Sequence, residues 1–511
     1  MSANPSAPEY TRREFISTAA ASAAIGLLPA AARAANPPTG SNKMIGIQVG
    51  AASFLDEGTE QVLDKVQEHG EVNTLFLAAF TYGRGIAGRQ VEGQSLPDHG
   101  KQEYDRDFHG GNYATPHSKY YTRTSLKRTR APDHGDYDLL ADVVPKAHRR
   151  GIKVYAWYED HFRADLPGIE DLIEVDWQGH RVRPVYPRAT PLCCLHPDYR
   201  EFVTGLTKDY CENYELDGVM WGSERQGPLH NALSARADGT GDSSRVSCFC
   251  EHHQKAARER GINVARAKEG FAQLDQFLRA ARARQRPADG YFVEFWRLLL
   301  EYPELLAWEK LWTDGKHAIY ADVFRAAKES RPSVQVGFHL WHLNSFSPFF
   351  RAEQNYAEFA KTADFLKIVV YNNCGGPRYA GYLDNVGATL FGDVPPDDLL
   401  RLYNAWLGFG NEAPLDKLPT AGLSADYVFR ESKRAIAGVT GTRCQIYPGL
   451  DVDIPTEKGE KRTAPEDVYA STMAALGSGA GGVIFSRKYS EMNLANLAAG
   501  GRAVKEFRLK G

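Results

Sequence analysis

Two patterns of hydrophobic and polar positions alternate along the chain from residue 44 onward. Short runs rich in β-branched and aromatic residues predict strands, and amphipathic segments such as 138–151 and 465–479 predict the helices between them. The predicted strands lie at 44–50, 74–80, 153–159, 218–222, 334–340, 366–372, 444–450 and 481–487. Eight strand–helix units in this order predict an α/β fold, a (β/α)8 TIM barrel whose parallel sheet closes on itself.

Three connections in the predicted barrel are much longer than the others. The barrel spans 44–508, and the long segments at 84–135, 162–197 and 225–330 follow its second, third and fourth strands. In a TIM barrel the segments that follow strands all open on one face, which carries the active site. The sequence therefore predicts long insertions on the catalytic face.

The first 34 residues have the features of an export signal. Arg12 and Arg13 precede an Ala-rich, weakly apolar run, and the small residues at 32–34 are typical of a cleavage site. We interpret 1–34 as a twin-arginine signal peptide, followed by a linker at 35–43, and expect a periplasmic or secreted protein. The alternative is a membrane anchor, but the apolar run is short and Ala-rich for a span, so we expect no membrane association after cleavage.

The charge and residue composition of the chain indicate which kinds of partner it could bind. The net charge is −3, with both signs spread along the chain, so we expect no nucleic-acid partner. Aromatic residues make up 11% of the chain, and their rings either stack on sugars or fill a large core. Seven cysteines suggest no regular disulfide framework, and folding in a reducing cytoplasm before export favours free thiols or metal ligands.

Polar and aromatic side chains lie at or just beyond the carboxyl ends of the predicted strands three to eight, which meet on one rim of a barrel. These residues are Trp157, Glu159, Asp160, His161, Glu224, Arg225, His339, His342, Tyr371, Asn372, Asp451, Asp453 and Arg487. Carboxylates act as acid, base or nucleophile on a glycosidic bond, while amides, imidazoles and rings hold sugar hydroxyls and faces. The pattern predicts a carbohydrate site with catalytic carboxylates at Glu224, Asp451 and Glu159 and with the other residues binding substrate.

The stretch "LDGVMWGSERQGPL" at 216–229 supports this interpretation most directly. Its apolar run breaks into Glu224 and Arg225 before a Gly-Pro turn, and a buried strand has no structural use for an ion pair at its end. We interpret Glu224 as a catalytic carboxylate that Arg225 tunes or orients. Structural alternatives stay open here: a surface ion pair at 224–225, helix caps or partners of neighbouring arginines at Glu159 and Asp160, core histidines at 339 and 342, and turn formers at 451 and 453.

The segments "AWYEDHF" (156–162), "LDGVMWGSERQGPL" and "CFCEHHQKAARERGI" (248–262) together resemble the barrel-type bacterial glycosyl hydrolases. These include the hypothetical glycosyl hydrolase families, distant relatives of the α-amylase, α-fucosidase and thermophilic β-galactosidase barrels. The resemblance implies a catalytic carboxylate after strand four, here Glu224, and a partner after strand seven, here Asp451 or Asp453. No Asn-Glu-Pro-type signature occurs at strand four, so the roles of nucleophile and acid stay open.

The same resemblance bears on the cysteines at 248 and 250. In the thermophilic β-galactosidase relatives a Cys-x-Cys-x-x-Cys run binds structural zinc, and here His253 stands at the third position. Imidazole and thiolate both bind zinc, and the fourth ligand would come from Cys193, Cys194 or Cys211. The alternative is a remnant motif with free thiols. Hydrolysis itself requires no cofactor.

The sequence therefore favours an exported glycoside hydrolase that cleaves an oligo- or polysaccharide with a pair of carboxylates. Two other functions stay open. One is a metal-dependent sugar isomerase or lyase, with Glu159, Glu224 and His339 as metal ligands. The other is a non-catalytic carbohydrate-binding barrel.

Overall fold

The computed structural model describes residues 43–182, 189–234 and 246–510. The predicted signal peptide at 1–34, and the linker up to residue 42, lie outside the described residues. Within the described ranges, no helix combines the length and apolar character needed to cross a membrane.

Eight parallel strands form a closed barrel, which confirms the predicted fold. They are β1 (Met44–Val49), β2 (Thr74–Thr81), β3 (Lys153–Glu159), β4 (Gly218–Gly222), β5 (Gln335–Leu340), β6 (Phe365–Val369), β7 (Gln445–Asp451) and β8 (Gly482–Ser486). Each strand pairs with its neighbours in chain order, and β8 pairs with β1 to close the ring. All eight lie where the hydrophobic runs predicted them.

Helices fill the connections between the strands. Their bounds are Ala51–Glu57, Thr59–Gly70, Arg84–Ala87, Leu139–Arg149, Pro197–Asn213, Pro228–Ser234, Glu251–Glu259, Val264–Arg282, Tyr291–Glu301, Glu304–Ser330, Leu343–Phe346, Pro348–Glu353, Tyr356–Phe359, Gly375–Gly387, Pro396–Leu407, Leu418–Ala421, Ala425–Gly438, Pro465–Gly477 and Leu494–Lys510. Short 3-10 turns lie at Ser118–Tyr120 and Tyr489–Glu491.

Short additional strands stiffen two of the predicted insertions. Gly111–Asn112 pairs antiparallel with β2, and His161–Arg163 pairs antiparallel with Ala189–Pro191. The predicted insertion at 225–330 ends in the long helix Glu304–Ser330, which packs on the helix Pro197–Asn213 and on β5. This last helix therefore serves as the barrel helix before β5, and the insertion proper precedes it.

Aromatic rings fill the barrel near the amino ends of its strands. The ring centroids of Phe76 and Tyr155 lie 5.0 Å apart, and those of Tyr155 and Phe365 lie 5.5 Å apart. Glycines on neighbouring strands make room for them, since a Cβ at Gly218 would lie 2.5 Å from the Tyr155 ring and one at Gly337 would lie 2.2 Å from the Phe365 ring. Aromatic residues and glycines thus fill this layer, and the polar candidate site residues lie at the opposite, carboxyl end of the barrel.

Candidate active site

Glu159 is the last residue of β3, and Glu224 lies in the loop that follows β4, so both lie at the carboxyl end of the barrel. Tyr155, Trp157 and Glu159 follow one another at every second position of β3, the spacing that directs side chains to one face of a sheet. The register sets Glu159 opposite Gly222 of β4, and a Cβ at Gly222 would lie 3.8 Å from the Cγ atom of Glu159. Glu224 comes two residues after Gly222, so both carboxylates belong to the barrel mouth.

Glu159 has the environment of a protonated acid. Its Oε2 atom accepts a hydrogen bond of 2.8 Å from the Thr81 hydroxyl. Burial, and then the negative charge of Glu224, raise the pKa of Glu159 to about 8. The carboxyl group therefore holds its proton at neutral pH, as a general acid must.

Glu224 has the opposite environment. Its side chain is 44% exposed, and its Oε1 atom accepts a hydrogen bond of 2.8 Å from His339 Nε2. Partial burial in the barrel mouth would raise the pKa of Glu224, but the hydrogen bond from His339 and the positive charge of Arg378 hold it at about 2. Because a carboxylate only accepts hydrogen bonds, His339 carries its proton on Nε2. Glu224 is therefore ionised over the whole neutral range.

A buried lysine that the sequence analysis missed lies in the barrel interior close to both carboxylates. Lys367, on β6, is fully buried and donates hydrogen bonds to Gln48 Oε1 at 2.5 Å and to the Tyr371 hydroxyl at 3.2 Å. Burial lowers its pKa to about 7, against the opposing effect of Glu224 and Glu159. Gly449 makes room for it, since a Cβ there would lie 2.6 Å from the Lys367 Cε atom.

Arg378 is a second functional candidate that the sequence analysis missed. It lies on the helix Gly375–Gly387 with an exposed side chain, and its guanidinium donates to His342 Nδ1 at 3.3 Å. His342 Nε2 in turn donates to the Tyr427 hydroxyl at 3.0 Å. Burial lowers the pKa of His342 well below its usual range, so the neutral imidazole positions Arg378 beside Glu224.

Other predicted site residues lie around the same rim. Trp157 is buried, and its Nε1 atom has no hydrogen-bond partner among the described residues. His161 is 20% exposed, Tyr371 accepts from Lys367, and the Asn372 side chain is buried with Oδ1 likewise unpartnered in the described part of the chain. Arg487 donates two hydrogen bonds to Glu491, at 2.9 and 3.0 Å.

The structure corrects the expectation that Arg225 orients Glu224. Arg225 is buried and forms ion pairs with Asp160, at 3.2 Å, and with Glu174. Consecutive residues of an extended chain point to opposite sides, which separates Arg225 from Glu224. Asp160 also accepts a hydrogen bond of 2.7 Å from Ser223. This ion-pair network therefore fixes the loop that follows β4 without contacting Glu224.

A second lysine completes the support of the Glu224 loop. Lys316 Nζ, in the helix Glu304–Ser330, donates to the backbone oxygens of Ser223 at 3.2 Å and Arg225 at 3.0 Å. Its side chain is buried, so these two carbonyl groups replace its hydration. The loop therefore presents Glu224 from a fixed backbone.

Asp451 and Asp453 follow β7, where the resemblance implied a catalytic partner, but their oxygens hold loops together. Asp451 is fully buried and accepts from the backbone N–H groups of Cys374 at 2.8 Å and Ile454 at 3.1 Å. Asp453 accepts from the Asn493 backbone at 2.7 Å and from the Asn496 amide. The carboxyl group that pairs with the ionised Glu224, and that is itself protonated at neutral pH, is Glu159 rather than Asp451 or Asp453.

One family model matches part of the chain. Residues 111–223 match the family described as Glycosyl hydrolase-like 10. The matched segment contains β3 with Glu159 and ends next to Glu224. The chain has no match among curated proteins.

Solved structures with similar chains include several glycoside hydrolases. The glycoside hydrolase domain of PgaB (BpsB) from Bordetella bronchiseptica is 13% identical, with 92% of this chain and 98% of that chain covered and a TM-score of 0.49. The α-L-fucosidase isoenzyme 2 from Paenibacillus thiaminolyticus is 12% identical, with 91% and 49% covered and a TM-score of 0.46. A β-galactosidase from Halorubrum lacusprofundi is 14% identical, with 91% and 58% covered and a TM-score of 0.49. The chain thus spans about half the length of the last two proteins.

Three cysteines and a histidine outside the Glu159–Glu224 pair form a compact cluster. The Sγ atom of Cys193 lies 3.4 Å from that of Cys250 and 3.3 Å from His253 Nδ1. Together with Cys248, all four ligand atoms lie within 4.8 Å of one another. Among the three candidates for a fourth ligand, the structure brings Cys193 to the predicted trio. A Cys3His set at these separations is typical of structural zinc.

Proposed function

We propose that this protein is a glycoside hydrolase in which Glu159 is the general acid and Glu224 the ionised carboxylate. The observation that carries the proposal is the contrast between two carboxyl groups at the ends of adjacent strands, with pKa values of about 8 and about 2. Two such groups with opposite ionisation at neutral pH are the machinery that glycosidic cleavage needs.

The proposed reaction begins with a glycosidic bond lying between the two carboxyl groups. Glu159 gives its proton to the leaving oxygen as the bond to the anomeric carbon breaks. Glu224 then either attacks the anomeric carbon or takes a proton from the water that attacks it. In the first case Glu159, now ionised, activates the water that releases the sugar. The configuration of the first-formed sugar, read by proton NMR, distinguishes the two routes.

Hydrogen-bond donors and positive charges around the pair support this division of roles. Arg378 and the imidazole of His339 stabilise the negative charge of Glu224, which keeps that group ionised. The charge of Lys367 lowers the pKa of Glu159, but burial and the charge of Glu224 outweigh it. The site thereby holds one proton on the pair at neutral pH.

The two alternative functions have less support from the geometry. A sugar isomerase of the kind considered needs a metal ion held by Glu159, Glu224 and His339. The candidate metal groups among the described residues contain none of these three side chains, and Glu224 already accepts a hydrogen bond from His339. A non-catalytic barrel would have no need for the contrasting ionisation of Glu159 and Glu224.

Hydrolysis itself tests the proposal. The mature protein should release product from at least one member of a panel of aryl glycosides and oligosaccharides, and the Glu224→Gln variant should not. Sugar binding by both proteins without turnover by either would favour the non-catalytic barrel instead.

We further propose that Cys193, Cys248, Cys250 and His253 bind a structural zinc ion that takes no part in hydrolysis. Protein purified without chelator should contain zinc at this site, and Cys250→Ser should lower both the zinc content and the melting temperature. Cys444→Ser, at a buried thiol outside the cluster, is the matched control. A Cys250→Ser variant with unchanged metal content and unchanged melting temperature would refute the zinc site.

Export by the twin-arginine route is the third part of the proposal. Replacing Arg12 and Arg13 together with lysine should leave the protein in the cytoplasm, since that route requires the arginine pair. Fractionation of cells that express either form measures this directly. A normal periplasmic yield from the double variant would contradict the route.

A further inference from the structure

A second cluster of ligand-type side chains lies in the segment that follows Glu224. His230 belongs to the helix Pro228–Ser234, Glu309 to the helix Glu304–Ser330, and Glu353 ends the helix Pro348–Glu353. Their side chains are 5%, 4% and 20% exposed. None of them takes part in the proposed hydrolysis.

Three atoms of this cluster converge on one point. His230 Nε2 lies 2.9 Å from Glu353 Oε1 and 3.9 Å from Glu309 Oε1, and all three atoms lie within 4.8 Å of one another. The 2.9 Å contact lacks the direction of a hydrogen bond. His230 Nε2 and Glu309 Oε1 therefore have no hydrogen-bond partner among the described residues, although both atoms are buried. An orphaned pair of buried polar atoms is costly unless another group satisfies both.

The second oxygen of each carboxylate is fixed by a protein donor. Glu309 Oε2 accepts a hydrogen bond of 2.7 Å from the Leu229 backbone, and Glu353 Oε2 accepts one of 3.0 Å from the Thr313 hydroxyl. Each carboxylate is thus oriented by one oxygen while the other faces His230. Hydrogen bonds of this kind around metal sites orient the ligands that contact the ion.

Backbone packing also leaves room for this arrangement. A Cβ at Gly227 would lie 2.3 Å from Glu309 Oε1 and 2.5 Å from its Cδ atom, so only glycine fits beside the carboxylate. Burial penalises the negative charge that two ionised carboxylates facing one imidazole would carry. A divalent cation between them would neutralise that charge and satisfy both orphaned atoms.

We propose that His230, Glu309 and Glu353 bind a divalent first-row transition-metal ion. One imidazole and two carboxylates suit manganese or zinc, and water would complete the coordination. The site is distinct from the cysteine cluster, whose thiolates select zinc over manganese. The bound ion would link three helices directly behind the loop that carries Glu224.

Manganese alone is the sharpest probe, because it separates this site from the cysteine cluster. Chelator-treated, dialysed full-length mature protein should bind one equivalent of Mn²⁺ per chain, measured by equilibrium dialysis and by the loss of the free-ion EPR signal. The Cys250→Ser variant should bind the same amount. Glu353→Gln should lose at least a tenfold factor in Mn²⁺ affinity, in line with removal of a ligand.

The control is Glu358→Gln, which removes an exposed carboxylate on the neighbouring helix and should leave Mn²⁺ binding unchanged. Circular dichroism establishes whether Glu353→Gln is folded, and His230→Gln replaces it if it is not. Failure of the wild-type and Cys250→Ser proteins to bind either Mn²⁺ or Zn²⁺ at this cluster would overturn the proposal, because a shared proton would then satisfy the carboxylates. Equal Mn²⁺ binding by wild type and folded Glu353→Gln would overturn it as well. Neither result depends on glycosidase activity.

Discussion

Replacing Glu224 with glutamine should lower turnover by about a thousandfold or more while sugar affinity changes little. Glutamine keeps the shape of the side chain and can still accept the hydrogen bond from His339. It removes the negative charge that attacks the anomeric carbon or activates water. Steady-state kinetics on the panel substrate give kcat, and calorimetry gives the affinity of the variant for the same sugar.

Protein stability separates this catalytic role from a structural one. The Glu224 side chain is 44% exposed, so its loss should change the free energy of unfolding by no more than about 1 kcal/mol. Asp451→Asn should instead destabilise the protein, because that buried carboxylate holds two backbone N–H groups. Glu170→Gln, at an exposed position of an insertion, serves as the matched control. A Glu224→Gln variant that unfolds, or a fully active one, would contradict the assignment.

Replacing Glu159 with glutamine should lower kcat/KM by about a hundredfold to ten-thousandfold on substrates with poor leaving groups. Aryl glycosides whose leaving group is already acidic need little proton donation. For these substrates the fall in kcat/KM should be much smaller. The Thr81 hydroxyl can still donate to the glutamine oxygen, and the fold should be retained. The measurement is kcat/KM of wild type and variant over a series of aryl leaving groups.

The dependence on the leaving group is what identifies the acid. A steeper dependence in the variant than in the wild type would support proton donation by Glu159. The same loss on every substrate would contradict this role. Thr81→Val is a useful companion, since it removes the hydroxyl that contacts Glu159 and leaves the carboxyl group in place.

The barrel could be predicted from sequence because its signals are local. Each strand is a short β-branched run, and each lies where the pattern placed it. Glu159 and Glu224 could be found for a similar reason, since they lie at or just beyond the ends of predicted strands and the ends of parallel strands share one rim. Their contrasting ionisation could not be predicted, because it depends on burial and on His339 and Arg378.

The remaining site residues depend on contacts between distant parts of the chain. Lys367 lies two positions after Phe365, so its periodicity places it on the inner face, but its partner Gln48 is 319 positions away. Cys193 lies 57 positions before Cys250. Adjacency in sequence predicts that Arg225 orients Glu224, whereas the extended backbone directs Arg225 to Asp160 and Glu174.

The pH dependence of kcat/KM tests the central claim, the division of roles between Glu159 and Glu224, most directly. Glu159 must be protonated and Glu224 ionised, so the rate should be flat through neutral pH and fall as pH rises past about 8. Because the two groups interact, the pKa that governs the fall of kcat/KM at alkaline pH is a property of the pair. This alkaline fall should disappear in Glu159→Gln. If kcat/KM already falls as pH rises through 4 to 5, the ordinary range of a glutamate, Glu159 is not the protonated acid. An increase in kcat/KM as pH rises through 8 would also contradict the account.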